Sequence, residues 1–128
     1  MSEDNYALFD DYYHDNIEQA TIKNKNFRKV INTTPNMQLV LMSLKPKEDI
    51  GVEIHPYITQ FIRVEKGEGI AVIEGQSFEL ADGTAIIIPL NSKHNIINTS
   101  KYNDLKLYTI YTPPNHPYDR IQINKVTD

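Results

Sequence analysis

The chain has 128 residues, of which 40% are hydrophobic and 23% are charged, and its formal net charge is −4 with no cysteine. This size and composition fit a single soluble globular domain. The absence of cysteine excludes disulfide bonds, a thiolate nucleophile and cysteine-ligated zinc. The longest apolar run, residues 85–88, is too short to span a bilayer.

The first 18 residues are acidic and contain no Lys or Arg, and no basic stripe compensates elsewhere. Such a surface repels phosphate backbones, so we expect no nucleic-acid partner. We also expect no membrane association, and the N-terminus lacks the basic and apolar regions of a secretion signal. A cytoplasmic location is therefore expected.

Residues 1–20 form an acidic arm with aromatic side chains at helical spacing: Tyr6, Phe9, Tyr12 and Tyr13. One interpretation is a short N-terminal helix. The other is a partly ordered arm that packs its rings on the domain or on a second subunit. Residues 21–128 would then form the domain, and the arm makes a homodimer our expectation.

After the arm, the sequence indicates β-structure throughout. Short alternating or apolar runs are separated by turn-forming Gly, Pro, Asn and Asp residues. Strands are expected at 27–31, 38–44, 60–65, 70–73, 77–80, 84–88, 94–98 and 105–111. Short strands with a turn every eight to twelve residues predict an all-β sandwich or barrel.

Four side chains form a candidate metal site. Glu53 and His55 are two residues apart, so on a strand they share one face. A bulge at Pro56 would let Gln60 face the same cavity. In a closed barrel, His94 could approach these residues from across the interior.

The chemistry of these residues suits a mononuclear metal centre. Two imidazoles and one carboxylate form the facial triad of non-haem iron enzymes and leave positions open for water, substrate or dioxygen. Gln60 would be a weak, neutral fourth ligand. Nitrogen and oxygen ligands suit one divalent Fe, Mn, Zn, Ni or Co ion. Since the site supplies one formal negative charge, the ion would remain a good Lewis acid.

The two stretches that carry these residues resemble the two motifs of the cupin superfamily. The first motif is matched by Gly51, Glu53, His55, Gln60 and Gly67, and the second by Gly83, Pro89, His94 and Asn98. Three positions depart from the family pattern: Glu53 replaces a histidine, Gln60 replaces an acid, and Asn91 replaces a glycine. Asn tolerates left-handed backbone better than most residues, so the last change is mild.

The resemblance implies a small single-domain cupin, which is an antiparallel β-barrel or double-sheet jelly roll that often holds one metal ion. The ligand set also resembles that of zinc-dependent phosphomannose isomerases, which use two histidines, a Glu and a Gln. We expect a metal-dependent enzyme for a small polar substrate, of the dioxygenase type or the sugar isomerase or epimerase type. The alternative is a non-catalytic cupin that binds or senses a small ligand.

Four further residues, one histidine and three tyrosines, are candidates for catalysis. His116 lies in a Pro-rich segment after the last strong strand, and it could act as a general base if that segment folds over the barrel mouth. Otherwise it is an exposed loop histidine. Tyr57 could supply a phenol near the substrate, as could Tyr108 and Tyr111, although strand tyrosines more often serve packing.

Overall fold

The computed structural model describes residues 8–125, and within that range the chain forms nine strands and one short helix. The helix α1 (Ile17–Lys23) precedes all of the strands. In chain order the strands are β1 (Arg28–Thr34), β2 (Met37–Leu44), β3 (Thr59–Lys66), β4 (Gly69–Ile73), β5 (Gln76–Leu80), β6 (Ala85–Ile88), β7 (His94–Asn98), β8 (Leu105–Thr112) and β9 (Ile121–Gln122).

The strands pair antiparallel in two sheets. The larger sheet has the order β6-β3-β8-β2-β1-β9, and the smaller sheet has the order β5-β4-β7. One apolar cluster joins them, since it contains Ala71, Leu80 and Ile96 from the smaller sheet together with residues of β2, β3 and β8. This arrangement confirms the predicted double-sheet jelly roll.

The interior of the larger sheet changes from apolar to polar along its strands. Side chains on β2, β8 and β3 lie side by side in successive rows, because their registers align. From the apolar end to the polar end these rows are Met42–Leu107–Val64, Val40–Thr109–Ile62 and Gln38–Tyr111–Gln60. All nine side chains are buried. The polar row marks the end of the barrel where a site can form, because buried polar groups need partners or a ligand.

The short helix lies after the aromatic residues of the arm and not over them. Residues 8–15 are not helical, and Asn16 caps α1 by accepting a hydrogen bond from the backbone N–H of Gln19. Tyr12 is almost fully exposed and does not pack on the domain, whereas Phe9 is half-exposed and the hydroxyl of Tyr13 is buried. Tyr6 lies outside the described residues. The division at residue 20 and the homodimer stay predictions.

Among residues 8–125 no helix is long and apolar enough to cross a membrane.

Candidate metal centre

Backbone pairing holds the segment before β3 against β7. Glu53 and His94 exchange two backbone hydrogen bonds, from Glu53 N to His94 O at 2.9 Å and from His94 N to Glu53 O at 3.0 Å. The N–H of Asn91 donates to the carbonyl oxygen of His55 at 2.8 Å. His94 is therefore a direct neighbour of Glu53, and the expectation that it reaches Glu53 from across the interior is wrong.

The turn that positions His55 depends on a left-handed residue. Asn91 has φ 66°, a conformation that Asn adopts at lower cost than most side chains. Its backbone N–H can then meet the carbonyl of His55. The replacement of the motif glycine by Asn91 thus preserves the backbone geometry.

Three ligand-type side chains converge at this point. The Nε2 atom of His55 lies 3.2 Å from Oε1 of Glu53, and Nε2 of His94 lies 3.9 Å from the same oxygen. One ligand atom from each of the three residues falls within 4.8 Å of the others. His94 is buried, whereas Glu53 and His55 are partly exposed. Glu53, His55 and His94 therefore form a triad that could hold a metal ion.

The hydrogen bonding of His94 leaves one ring nitrogen free for a ligand. Its Nδ1 lies 2.8 Å from the carbonyl oxygen of Ser92, which can only accept a hydrogen bond. We therefore assign the proton to Nδ1, which leaves the lone pair on Nε2. That Nε2 is buried and has no hydrogen-bond partner among residues 8–125. Metal-binding histidines are oriented in this way, with the distal N–H on a backbone carbonyl.

Gln60 occupies the polar row on the opposite sheet. Its Nε2 donates to the Thr109 hydroxyl at 3.0 Å, while its Oε1 is buried and meets no hydrogen-bond partner in the described part of the chain. The amide oxygen is the atom that would bind a metal ion or accept from a ligand. Its role as a fourth ligand stays a prediction.

Tyr111 and His116 form an aromatic wall beside the triad. The Tyr111 ring lies edge-on to both imidazoles, 6.0 Å from His55 and 5.1 Å from His116 between ring centroids. The Pro-rich segment after β8 therefore does fold back toward the site, which was the condition for His116 to take part in chemistry.

The fully buried amide of Gln38 holds this segment in place. Its Oε1 accepts from the backbone N–H groups of Asn115 and His116, at 3.0 and 2.9 Å. Its Nε2 donates to the His116 carbonyl at 2.9 Å and to the Thr33 hydroxyl at 3.1 Å. Gln38 was not predicted, although its position two residues before the buried Val40 places it on the core face.

Both groups of the wall are neutral at neutral pH. Burial, followed by the negative charge of Glu53, raises the pKa of the Tyr111 hydroxyl. Burial, followed by the charges of Arg28, Arg120 and His55, lowers the pKa of His116 to about 3. An imidazole with so low a pKa is a weak base near neutral pH but a good hydrogen-bonding group. Catalysis by His116 stays a prediction.

The remaining tyrosine candidates lie away from the triad. Tyr57 is 82% exposed on the turn after Pro56. Tyr108 faces outward on β8 and packs against Phe61, with 6.2 Å between ring centroids. For Tyr57 a catalytic role stays a prediction, and for Tyr108 the packing interpretation fits its surroundings.

Comparisons with known proteins agree with this architecture. A family described as "Cupin domain" matches residues 40–111. The chain is 49% identical over 113 residues to protein L612 of Acanthamoeba polyphaga mimivirus, covering 86% of this chain and 71% of that protein. It is 42% identical over 134 residues to YrkC of Bacillus subtilis, covering 96% and 71%.

A solved structure with the same fold is that of BH2720 from Bacillus halodurans. The two are 38% identical with a TM-score of 0.87, and the match covers 92% of this chain and 96% of BH2720. The family match, these relatives and the jelly roll with its two motif stretches lead to one conclusion. The chain belongs to the cupin family.

Proposed function

We propose that this protein is a metal-dependent enzyme for a small polar substrate, and that Glu53, His55 and His94 hold one divalent ion with Gln60 as a fourth ligand. The observation that supports this most is the buried Nε2 of His94, which lies 3.9 Å from Oε1 of Glu53 and has no hydrogen-bond partner within the described residues. A buried polar nitrogen without a partner calls for a ligand.

The donor set fits such an ion. Neighbouring ligands on one ion at about 2.1 Å are roughly 3 Å apart, which is close to the 3.2 Å between Glu53 and His55. His94 is fixed through Ser92, and the partly exposed His55 and Glu53 have room to adjust. Nitrogen and oxygen donors suit Fe, Mn, Zn, Ni or Co.

The ion, when bound, would polarise an oxygen atom of the substrate as a Lewis acid. The chain supplies the surroundings. Tyr111 and the neutral His116 offer hydrogen bonds to substrate oxygens, and the apolar rows around Ile62 keep water from the inner side. Such preorganised groups position a substrate without carrying charge themselves.

Two reaction classes fit this site. The two-histidine, one-carboxylate set is that of enzymes that activate dioxygen. Isomerisation or epimerisation of a sugar-like carbonyl compound would use the same Lewis acid, but it also needs a base. His116 is the candidate base, and its low pKa makes it a weak one.

The absence of charge on the aromatic wall favours a second candidate, a non-catalytic cupin that binds a small ligand. A neutral wall of Tyr111 and His116 can hold a ligand without moving a proton. In this case the metal, if present, would orient the ligand only.

Metal analysis tests the site. Protein purified without chelator should contain about one divalent ion per chain, and His94→Ala should lose it. His14→Ala is the matched control, because His14 is an exposed histidine of the arm. Full metal content in His94→Ala would refute the ligand assignment.

Turnover assays then separate the candidates. Iron-loaded protein that consumes oxygen with a substrate would support the dioxygenase class. Exchange of carbon-bound hydrogen with D₂O in sugars, followed by NMR, would support the isomerase or epimerase class. Ligand-induced thermal stabilisation with neither reaction would favour the binding module.

A further inference from the structure

A buried arginine lies in the barrel interior. Arg28 begins β1 and is 8% exposed, and it alternates with the buried Val30 on the inward face. Across the sheet it is paired with Met42, which is fully buried. A guanidinium in such surroundings loses its hydration, which costs free energy unless partners replace the water.

The partners of Arg28 only partly replace that water. Its Nη1 donates to Oε1 of Gln122, and its guanidinium lies 5.1 Å from the centroid of the Phe27 ring. Among residues 8–125 no Asp or Glu forms an ion pair with it. Its Nε is buried and has no hydrogen-bond partner in the same range of residues. The buried guanidinium therefore contacts one neutral oxygen and one aromatic ring, and its Nε–H is unused. These contacts do not complete its hydrogen bonding or balance its charge.

Arg28 is joined to the aromatic wall of the candidate metal centre through the segment after β8, although its backbone lies opposite Met42 in the apolar row. Strand β9, which continues the segment that carries His116, pairs with β1 at Arg28 itself. Together with burial, which is the larger cause, the positive charge of Arg28 lowers the pKa of His116, and it partly offsets the burial that raises the pKa of the Tyr111 hydroxyl; its charge therefore acts on both groups of the wall.

We propose that Arg28 recognises an anionic group of the ligand, and that this group is a carboxylate. The proposal rests on the proposed function and specifies its substrate as a small organic acid. Gln122 occupies Nη1, which leaves the edge formed by Nε and Nη2. Two parallel N–H donors on one edge match the two oxygens of a planar carboxylate. A single buried cation also balances a monoanion better than a phosphate dianion.

The direct test is NMR of the arginine side chains. The sequence contains three arginines, Arg28, Arg63 and Arg120, so their Nε–H signals can be assigned by substitution. Acetate, lactate and succinate are titrated into metal-free protein, with methyl lactate as the uncharged analogue and inorganic phosphate as the competing anion. We expect a saturable shift of the Arg28 Nε–H with at least one carboxylate and none with methyl lactate.

Substitution then tests the assignment. Arg28→Gln should weaken binding of that carboxylate at least about tenfold, measured from backbone amide shifts, because a charge-assisted pair is lost. Arg63→Gln should bind like the wild type, since the Arg63 side chain is 41% exposed on the outer face. Arg28→Lys keeps the charge but lacks the planar fork, so its binding should be intermediate; this variant replaces Arg28→Gln if the latter fails to fold.

Several results would overturn the proposal. These are the absence of a saturable shift with all three carboxylates, an unchanged affinity in the Arg28 variants, or a preference for inorganic phosphate. A merely structural arginine would lower the melting temperature without changing the preference for lactate over methyl lactate.

The two proposals fail separately. Arg28→Gln should retain the wild-type metal content, whereas His94→Ala should lose metal and still bind the carboxylate when metal-free. Absence of metal with intact Arg28-dependent binding would contradict the proposed function only.

Discussion

Asn98 ends β7 and ties two separate segments of the chain together. It is fully buried, and its Nδ2 donates to the carbonyl oxygens of Leu44 and Lys45, both at 3.0 Å, and of Asn103 at 2.9 Å. Its Oδ1 accepts from the backbone N–H of Ser100 at 2.9 Å. Asn98 of the second motif thus connects the end of β2 to the loop before β8.

Replacing this residue by Leu, which has nearly the same size, should destabilise the fold by about 3–5 kcal/mol. Each buried backbone group left without a partner costs about 1–3 kcal/mol. The two hydrogens of Nδ2 are shared among three carbonyls, two of which belong to partly buried pairs, so the lower part of that range applies to them. The total is a large fraction of a typical stability of about 5–15 kcal/mol.

Urea unfolding followed by circular dichroism measures this loss. The transition midpoint should fall while the slope m stays constant, since the exposed surface hardly changes. Thr99→Ala is the matched control, because Thr99 is the exposed neighbour and its replacement should change stability by less than about 0.5 kcal/mol. A loss below about 1 kcal/mol in Asn98→Leu would refute the reasoning, because the loops would then be held by other contacts.

Three further predictions concern the backbone and the wall. Asn91→Val should lower stability in thermal unfolding by about 1–2 kcal/mol, because φ is 66° at this position. Asn91→Gly should leave the stability nearly unchanged. Equal losses in the two variants would argue against backbone strain. Gly69→Ala should lower the free energy of urea unfolding by about 3 kcal/mol or more, since the added methyl group would overlap the Ile97 carbonyl. Gly75→Ala has open space for its methyl group and should lose only about 1 kcal/mol, because of its positive φ. A larger loss in Gly75→Ala than in Gly69→Ala would contradict the packing. His116 has a folded-state pKa of about 3, below the ordinary 6.5, so the unfolded chain binds its proton first and stability falls as the pH drops from about 6.5 to 3. The wild type should lose roughly 2 kcal/mol of stability over this pH range, a figure reduced because solvent screens the partly exposed ring. In His116→Asn this loss should disappear. An unchanged pH profile in the variant would mean that the ring is not buried in solution.

Much of the fold follows from local patterns in the sequence. The alternation of Gln60, Ile62 and Val64 with Phe61 and Arg63 predicted both the strand and its inward face, and the burial of these residues confirms it. Side chains on a strand alternate with period two, so such a pattern can be read without knowledge of the partner strand. The helix was harder to place, because it begins only after the aromatic residues of the arm, at Ile17.

The identity of the candidate ligands also follows from the sequence, but their arrangement does not. Motif spacing identified Glu53, His55 and His94, which the structure brings within 4.8 Å as a triad. Whether His94 meets Glu53 as a neighbour or from across the barrel depends on which strands pair. Pairing between distant segments is decided by the burial of the whole core, and no local pattern encodes it.

The sequence by itself therefore determined the β-architecture, the cupin motifs and the types of ligand available. Only the tertiary structure decided that Gln38 holds His116 against Tyr111, and that Arg28 enters the same interior with no carboxylate partner among residues 8–125. Both results arise from strands far apart in the chain that pair in one sheet. Their polar side chains become a site only when that pairing removes them from water together.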